Sequence, residues 1–314
     1  MNISSSARPR IVFAAAALML AVGLIAGGTC AQSVFVQRLQ AVYDGTPMDQ
    51  ATVRIGNWGS GICEESSQNA YSGSRSLKIT PKDLYTGGRI DFVAPLDVTA
   101  SMKNPSAYLQ IICLFTGAQA QDQLTAALGT AAAPTDMYGG DTSNPGRPVR
   151  TLRTVLYFEN GPAVEAQGPL SAYKVGDDGW MVVSFPLSVI KGKTNLAQYK
   201  LTRMVITGDG TQPFNVGEIR TIPDESTLSA DSSEDMEVST NYPIAFQGFC
   251  TSGASAVKYS WDFDSRNGIQ EQATGDLVYH RFTQVGDFDV TLTVSDLFGV
   301  KQPATKVIHV KVNE

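Results

Sequence analysis

The sequence predicts an all-β chain in which two β-sandwich domains follow an export signal. Three observations lead there. Between Tyr259 and Asp296 two segments carry apolar side chains at alternate positions, the period of a strand with one face in a core and the other in water. From Ser33 to about Ile222 the chain falls into short strand-like runs separated by Gly and Asn/Asp turns, with few apolar stripes of helical length. At the start, Arg8 and Arg10 precede an apolar run, 11–25, that ends in small residues.

Residues 1–31 read as a secretory signal peptide, so the protein is expected to be secreted or held at the cell surface. The fifteen residues of the apolar run fall short of the roughly twenty that a membrane-spanning helix needs, and Thr29 and Ala31 suit cleavage before Gln32. The alternative is a lipoprotein anchored through Cys30, although Gly27-Gly28-Thr29 lacks the Leu usual three residues before such a cysteine. Cleavage removes two basic residues and no acidic ones, which takes the net charge from −6 to −8. An acidic chain with no Lys/Arg run repels phosphates and anionic headgroups. Nucleic acid is therefore excluded as a partner, and a membrane is reached only through a lipid on Cys30.

In the first domain, 32–222, strands are expected at 33–39, 76–80, 88–92, 107–115, 155–158, 180–186, 203–207 and 214–221, a number that suits two packed sheets. The segment 116–150, rich in Ala, Gly, Gln, Thr and Pro, exceeds the ~15 residues beyond which a loop is functional or disordered, and disorder is the favoured reading. Beyond Cys30 the cysteines are Cys63, Cys113 and Cys250, an odd number for an exported protein. A Cys63–Cys113 disulfide is the expected pairing. The alternative makes Cys113, inside the apolar run 111–115, a buried thiol, as Cys250 is expected to be.

Trp180 and Trp261 lie in alternating strands and read as core residues. Trp58 lies in Gly56-Asn57-Trp58-Gly59-Ser60-Gly61, too glycine-rich for a core strand. A tryptophan in a loop offers a flat apolar face to the C–H side of a sugar ring; the competing reading folds Trp58 over the end of the sandwich. Asn57, Tyr71 and Tyr85 complete the candidate ligand-binding set, with Tyr138 of the same kind.

Several motifs stand in an informative order: Val42-Tyr43-Asp44-Gly45, Asn57-Trp58-Gly59, 71–79, Gly87-Gly88-Arg89-Ile90, 179–187 and 214–220. Together they resemble a galactose-binding-like jelly roll of the carbohydrate-binding-module kind. The resemblance implies a calcium-stabilised sandwich that binds glycans on loops or on one sheet face, with Asp44 and Glu218 as the candidate calcium ligands. The last strand departs from the family, with Asn215, Gly217 and Glu218 in place of an aspartate-rich pattern.

Residues 223–237 carry six carboxylates among Ser and Thr, and read as an extended acidic linker that lets the two domains move independently unless their surfaces dock. In the domain that follows, 238–314, one strand places Tyr259, Trp261 and Phe263 on one face and breaks at Asp264-Ser265-Arg266-Asn267-Gly268. A second, 286–296, alternates Phe288, Val290, Leu292 and Val294 with polar residues. The order Tyr-Ser-Trp-Asp-Phe, a turn, Tyr279-His280-Arg281-Phe282, Gly286-Asp287-Phe288 and 290–296 resembles the PKD domain, which implies an immunoglobulin-like sandwich. The turn departs from the family's Gly-Asp-Gly. Its oxygen-rich spacing reads as a turn rather than a calcium loop, because Arg266 stands where a ligand oxygen would be wanted.

Catalysis has little to work with. His280 and His309 are the only histidines, both in the second domain and neither near a nucleophile elbow. Asp177-Asp178, flanked by Gly176 and Gly179, reads as a turn rather than a glycosidase pair. The expected function is thus that of an exported, non-catalytic protein that binds a polysaccharide through its first domain, with the second as spacer or interaction module. The alternative is a structural or adhesive surface protein that binds other proteins.

Overall fold

In the computed structural model, the described residues are 40–115 and 146–314. The expected signal peptide with Cys30, the strand expected at 33–39, Tyr138 and most of the long Ala/Gly-rich segment lie outside them. Eleven strands build the first unit: β1 (Gln40–Tyr43), β2 (Val53–Trp58), β3 (Ile62–Ser66), β4 (Ser76–Thr80), β5 (Gly87–Asp97), β6 (Ala107–Phe115), β7 (Thr151–Phe158), β8 (Val164–Pro169), β9 (Met181–Pro186), β10 (Lys200–Gly208) and β11 (Phe214–Pro223). A single helical turn, α1 (Thr99–Lys103), bridges β5 and β6. Eight more strands follow: β12 (Ser229–Ser232), β13 (Met236–Ser239), β14 (Ile244–Thr251), β15 (Val257–Asp262), β16 (Ala273–Thr274), β17 (Leu277–His280), β18 (Gly286–Asp296) and β19 (Ala304–Asn313). The all-β expectation holds.

The first unit is a sandwich of two antiparallel sheets. One runs β3-β4-β11-β6-β9, with β1 on the far half of β11; the other runs β2-β5-β10-β7-β8. Alternation supplies the filling: Leu77, Ile79, Ile111, Cys113, Val183, Phe185, Val216 and Ile219 from the first sheet meet Ile90, Phe92, Leu152, Leu156, Met204 and Ile206 from the second in one core. Strand β6, apolar but for the buried Gln110, is buried on both faces over most of its length. Its inner residues enter that core, while Tyr108 on the outer side joins a small separate cluster with Ile222 and Ala254.

That cluster is where the second unit docks. The second unit pairs a three-stranded sheet, β12-β14-β17, with a five-stranded one, β13-β19-β18-β15-β16, around Phe246, Trp261, Leu292 and Ile308. Trp261 is fully buried, and its indole N–H donates to the Gly275 carbonyl at 2.9 Å.

The acidic stretch 223–237 is not an extended linker. β11 continues to Pro223, and β12 and β13 occupy 229–232 and 236–239, their ladders closing the edges beside β14 and β19. Two short strands need only a few inward residues, here Ala230, Met236 and Val238, so most of the charges can stay on the outer side. Nor are the units independent. Asp224 Oδ2 accepts from Lys301 Nζ at 2.7 Å and from the Ala254 amide at 2.6 Å, while its Oδ1 accepts from the Ser226 amide and hydroxyl. Lys301 donates further to the Ser252 carbonyl and lies 5.9 Å from the Tyr108 ring. Tyr108 Oη bonds Ser255 Oγ, Phe298 packs edge-on against Phe185, and Lys174 pairs with Asp276. A composition that reads as a solvated spacer is thus partly consumed in building a clasp.

Candidate functional site: an aromatic and arginine-bearing sheet face

The outer face of β2-β5-β10-β7-β8 gathers side chains from five strands, all at positions alternate to the core residues. Register sets the rows. Trp58, Gly87, Thr207, Arg153 and Gln167 stand opposite one another in the first; Gly56, Arg89, Val205, Val155 and Glu165 in the second; Arg54, Asp91, Arg203 and Tyr157 in the third. Val205 and Val155 are buried although they belong to no core cluster, which makes them an apolar floor under the longer side chains around them.

Trp58 lies across this floor. Its ring centroid is 6.0 Å from that of Tyr157, and the Arg203 guanidinium sits 5.7 Å from it, within reach of a cation–π contact. Tyr85, 67% exposed, stands in the loop before β5 with the Arg153 guanidinium 5.1 Å from its ring. The loop is pinned to the sheet, since Thr207 Oγ1 donates to the Leu84 carbonyl at 2.6 Å and Thr86 Oγ1 accepts the Lys82 and Asp83 amides. The face is laced by ion pairs: Arg89 Nε lies 3.1 Å from Asp91 Oδ2, Arg203 Nε donates to Asp91 Oδ1, and Arg153 Nη2 bonds Glu165 Oε2 at 2.7 Å. The bond from Arg153 holds the Glu165 carboxyl below the usual carboxylate range against the opposing push of burial.

Of the residues singled out from sequence, this face unites Trp58 and Tyr85. Trp58 is not in a loop but ends β2, where glycines at 56 and 59 flank it without side chains of their own. Asn57 is turned to local structure, its Oδ1 accepting the Cys63 amide at 2.9 Å. Tyr71 lies in the loop between β3 and β4, beside the other sheet, edge-on to Trp180 at 5.4 Å and over Gly217, where a Cβ would come within 2.4 Å of Tyr71 and 2.7 Å of Trp180. Tyr157 and the four arginines went unnoticed in the sequence because they come from separate strands; the signal present was an arginine at outward positions of the alternating runs 88–92 and 203–207.

No disulfide joins Cys63 to Cys113; both are buried thiols, as is Cys250. Cys63 is on β3 and Cys113 on β6, with β4 and β11 between them. At ~4.8 Å per strand the backbones stand roughly 14 Å apart, twice the reach of a disulfide. Burial, helped by Glu64, pushes the Cys63 thiol up to about 12, so it is a poor nucleophile at neutral pH.

Asp44 directly follows β1 and Glu218 lies midway along β11, next to the residue that pairs with Tyr43, but they fit a calcium ion poorly. Asp44 Oδ1 accepts from the Thr46 amide and hydroxyl, and the buried Glu218 faces the Arg220 guanidinium at 3.4 Å, a positive charge where a cation would bind. Among the described residues no group of three or more His, Cys, Asp or Glu could hold a metal. In the second unit, Asp262 is spent on its own turn, accepting the Asp264 and Gln270 amides, while Arg266 occupies Asp264. His280 stacks on Phe263, with burial holding its pKa below the ordinary value, and His309 pairs with Asp289 at the surface.

Residues 228–309 match the family model of the PKD domain. The C-terminal unit is a PKD domain. The PKD domain of human KIAA0319 is similar over 28% of this chain and 82% of that one, at 14% identity and a TM-score of 0.23. The CBM22-1–GH10 modules of endo-1,4-beta-D-xylanase 10B from Clostridium thermocellum, solved with xylohexaose, are similar over 64% of this chain at 9% identity and a TM-score of 0.30. This chain spans 32% of that xylanase structure. No curated protein matches. No helix among the described residues is long and apolar enough to cross a membrane.

Proposed function

We propose that this is an exported, non-catalytic binding protein that holds a polysaccharide on the outer face of β2-β5-β10-β7-β8, with the PKD domain as a fixed spacer. One observation carries the reading: Trp58, Tyr157 and Tyr85 stand on one sheet face, above an apolar floor and among planar polar groups. Sugar hydroxyls are already bonded to water and gain little on transfer, whereas stacking a ring on an indole removes apolar area from water. The strands' rigid register holds the aromatics where a chain of sugars lying across the sheet would meet them.

The test is retention of the full chain on a panel of polysaccharides by affinity electrophoresis. For the polymer that retards the protein, Trp58→Ala is expected to weaken binding by roughly thirtyfold, since about 80 Å² of ring face at ~25 cal/mol/Å² contributes about 2 kcal/mol. The thermal midpoint should hardly move, because Trp58 lies outside the core cluster. Retention undiminished in Trp58→Ala would remove this face from the binding site. No retention on any polymer would favour the protein-binding alternative.

A further inference from the structure

Charge on the sheet face is out of keeping with the chain. The protein carries a net −6, yet Arg54, Arg89, Arg153 and Arg203 rise from four adjacent strands with only Asp91 and Glu165 among them. Asp91 stands in one row between Arg54 and Arg203 and is paired to Arg203 and Arg89, so two guanidinium groups share one carboxylate, while the Arg54 Nε donates to the Gln50 carbonyl. Arg203 donates to Asp91 through its Nε, and the Arg89 Nε lies 3.1 Å from the other carboxylate oxygen as an ion pair without a hydrogen bond. The terminal nitrogens of Arg89 and Arg203 donate to no residue described, and these side chains remain 38% and 36% exposed. Arg89 is also laid flat over β2: a Cβ at Gly56 would come within 3.1 Å of its Nε, so that glycine leaves the room in which the guanidinium lies. The result is a pair of forks, fixed from behind by a shared carboxylate and open in front, beside the Trp58 ring.

On the reading that this face binds polysaccharide, we infer that its ligand is a polyuronate, a polysaccharide whose sugars carry carboxylates. A guanidinium held with its Nε against a protein carboxylate, as Arg203 is by a hydrogen bond and Arg89 by an ion pair, presents its Nη atoms to a second one, and a planar carboxylate matches the fork better than a hydroxyl does. Net repulsion between two acidic partners does not forbid this. At 0.1 M salt charges beyond about 10 Å are largely screened, so the local arginines dominate once the polymer is in contact.

The experiment compares polygalacturonate with the same polymer fully methyl-esterified, which keeps the sugar ring and removes the charge. The full chain should be retarded at least tenfold more strongly by polygalacturonate at 0.1 M salt, and the difference should shrink as salt rises. Arg203→Gln should lose at least tenfold in affinity for the free acid, and Arg89→Gln, whose side chain is the more exposed, gives the same readout should Arg203→Gln fold poorly. Equal retention of both polymers, or retention of neutral polymers that depends on Trp58 alone, would overturn the inference while leaving the polysaccharide reading intact. Equal binding to dextran sulfate or single-stranded DNA would overturn it as well, since the face would then be a general polyanion site. Absence of binding to any polysaccharide would remove both.

Discussion

Trp261→Ala is expected to destabilise the PKD domain by about 3–5 kcal/mol, the usual cost of removing a buried tryptophan. The side chain is fully buried, packs on Phe246 at 5.9 Å, and holds the Gly275 carbonyl at the turn after β16. A domain of ~80–90 residues has only some 4–13 kcal/mol in all, so the variant should approach the limit of folding at 37 °C. Denaturant unfolding followed by far-UV circular dichroism would show the early loss. The first unit has its own core and should unfold close to its original midpoint. A midpoint for the PKD domain unchanged within error would mean that Trp261 does not occupy the core.

The second large effect concerns the clasp. Lys301→Met should cost about 3–5 kcal/mol, because it leaves the Asp224 carboxylate buried without its counter-charge. The Lys301 and Asp224 side chains are only 8% and 9% exposed. Calorimetry should show the melting of the two units drawing apart, and small-angle scattering a larger radius of gyration. Asp224→Asn in the Lys301→Met background should recover part of the loss, since an amide needs no counter-charge. The pH dependence has a definite sign. Burial alone would raise the Asp224 pKa, but bonds from Lys301, Ala254 and Ser226 hold it below the ordinary range. A carboxyl depressed on folding contributes fully above its unfolded pKa, and the contribution is lost as pH falls through the folded value. The wild-type clasp should therefore loosen only below about pH 4, and a radius of gyration constant over pH 5–8 that grows below that point would show it.

Legibility in the sequence followed the strength of local patterning. The strands at 76–80 and 107–115, and β18 at 286–296, were readable to the residue, because alternation or a largely apolar run marks them. Strands β2, β3 and β8 were not. Their apolar residues are few and stand among glycines, charges and polar side chains, so that no short stretch marks them and the neighbouring strand supplies the ladder. The same reason hid the acidic strands β12 and β13 inside what looked like a linker. The candidate face shows the limit most plainly. Trp58 could be suspected alone, from its glycine neighbours, but Arg54, Arg89, Arg153 and Arg203 become a group only through cross-strand register, which no single stretch of sequence contains. The disulfide expectation failed on the same ground, since Cys63 and Cys113 share a sheet but not adjacent strands.

The three buried thiols have a further use. Cys63 and Cys113 belong to the first unit and Cys250 to the PKD domain, where its sulfur lies 3.0 Å from the Tyr259 hydroxyl. Each can meet an aqueous alkylating reagent only while its own sheet is open, so modification becomes a clock for local unfolding. Peptide mapping after timed exposure would report the two halves of the molecule separately, in a single sample and without a label. In Lys301→Met the Cys250 signal should quicken while that of Cys113, on β6 between β11 and β9, keeps its pace.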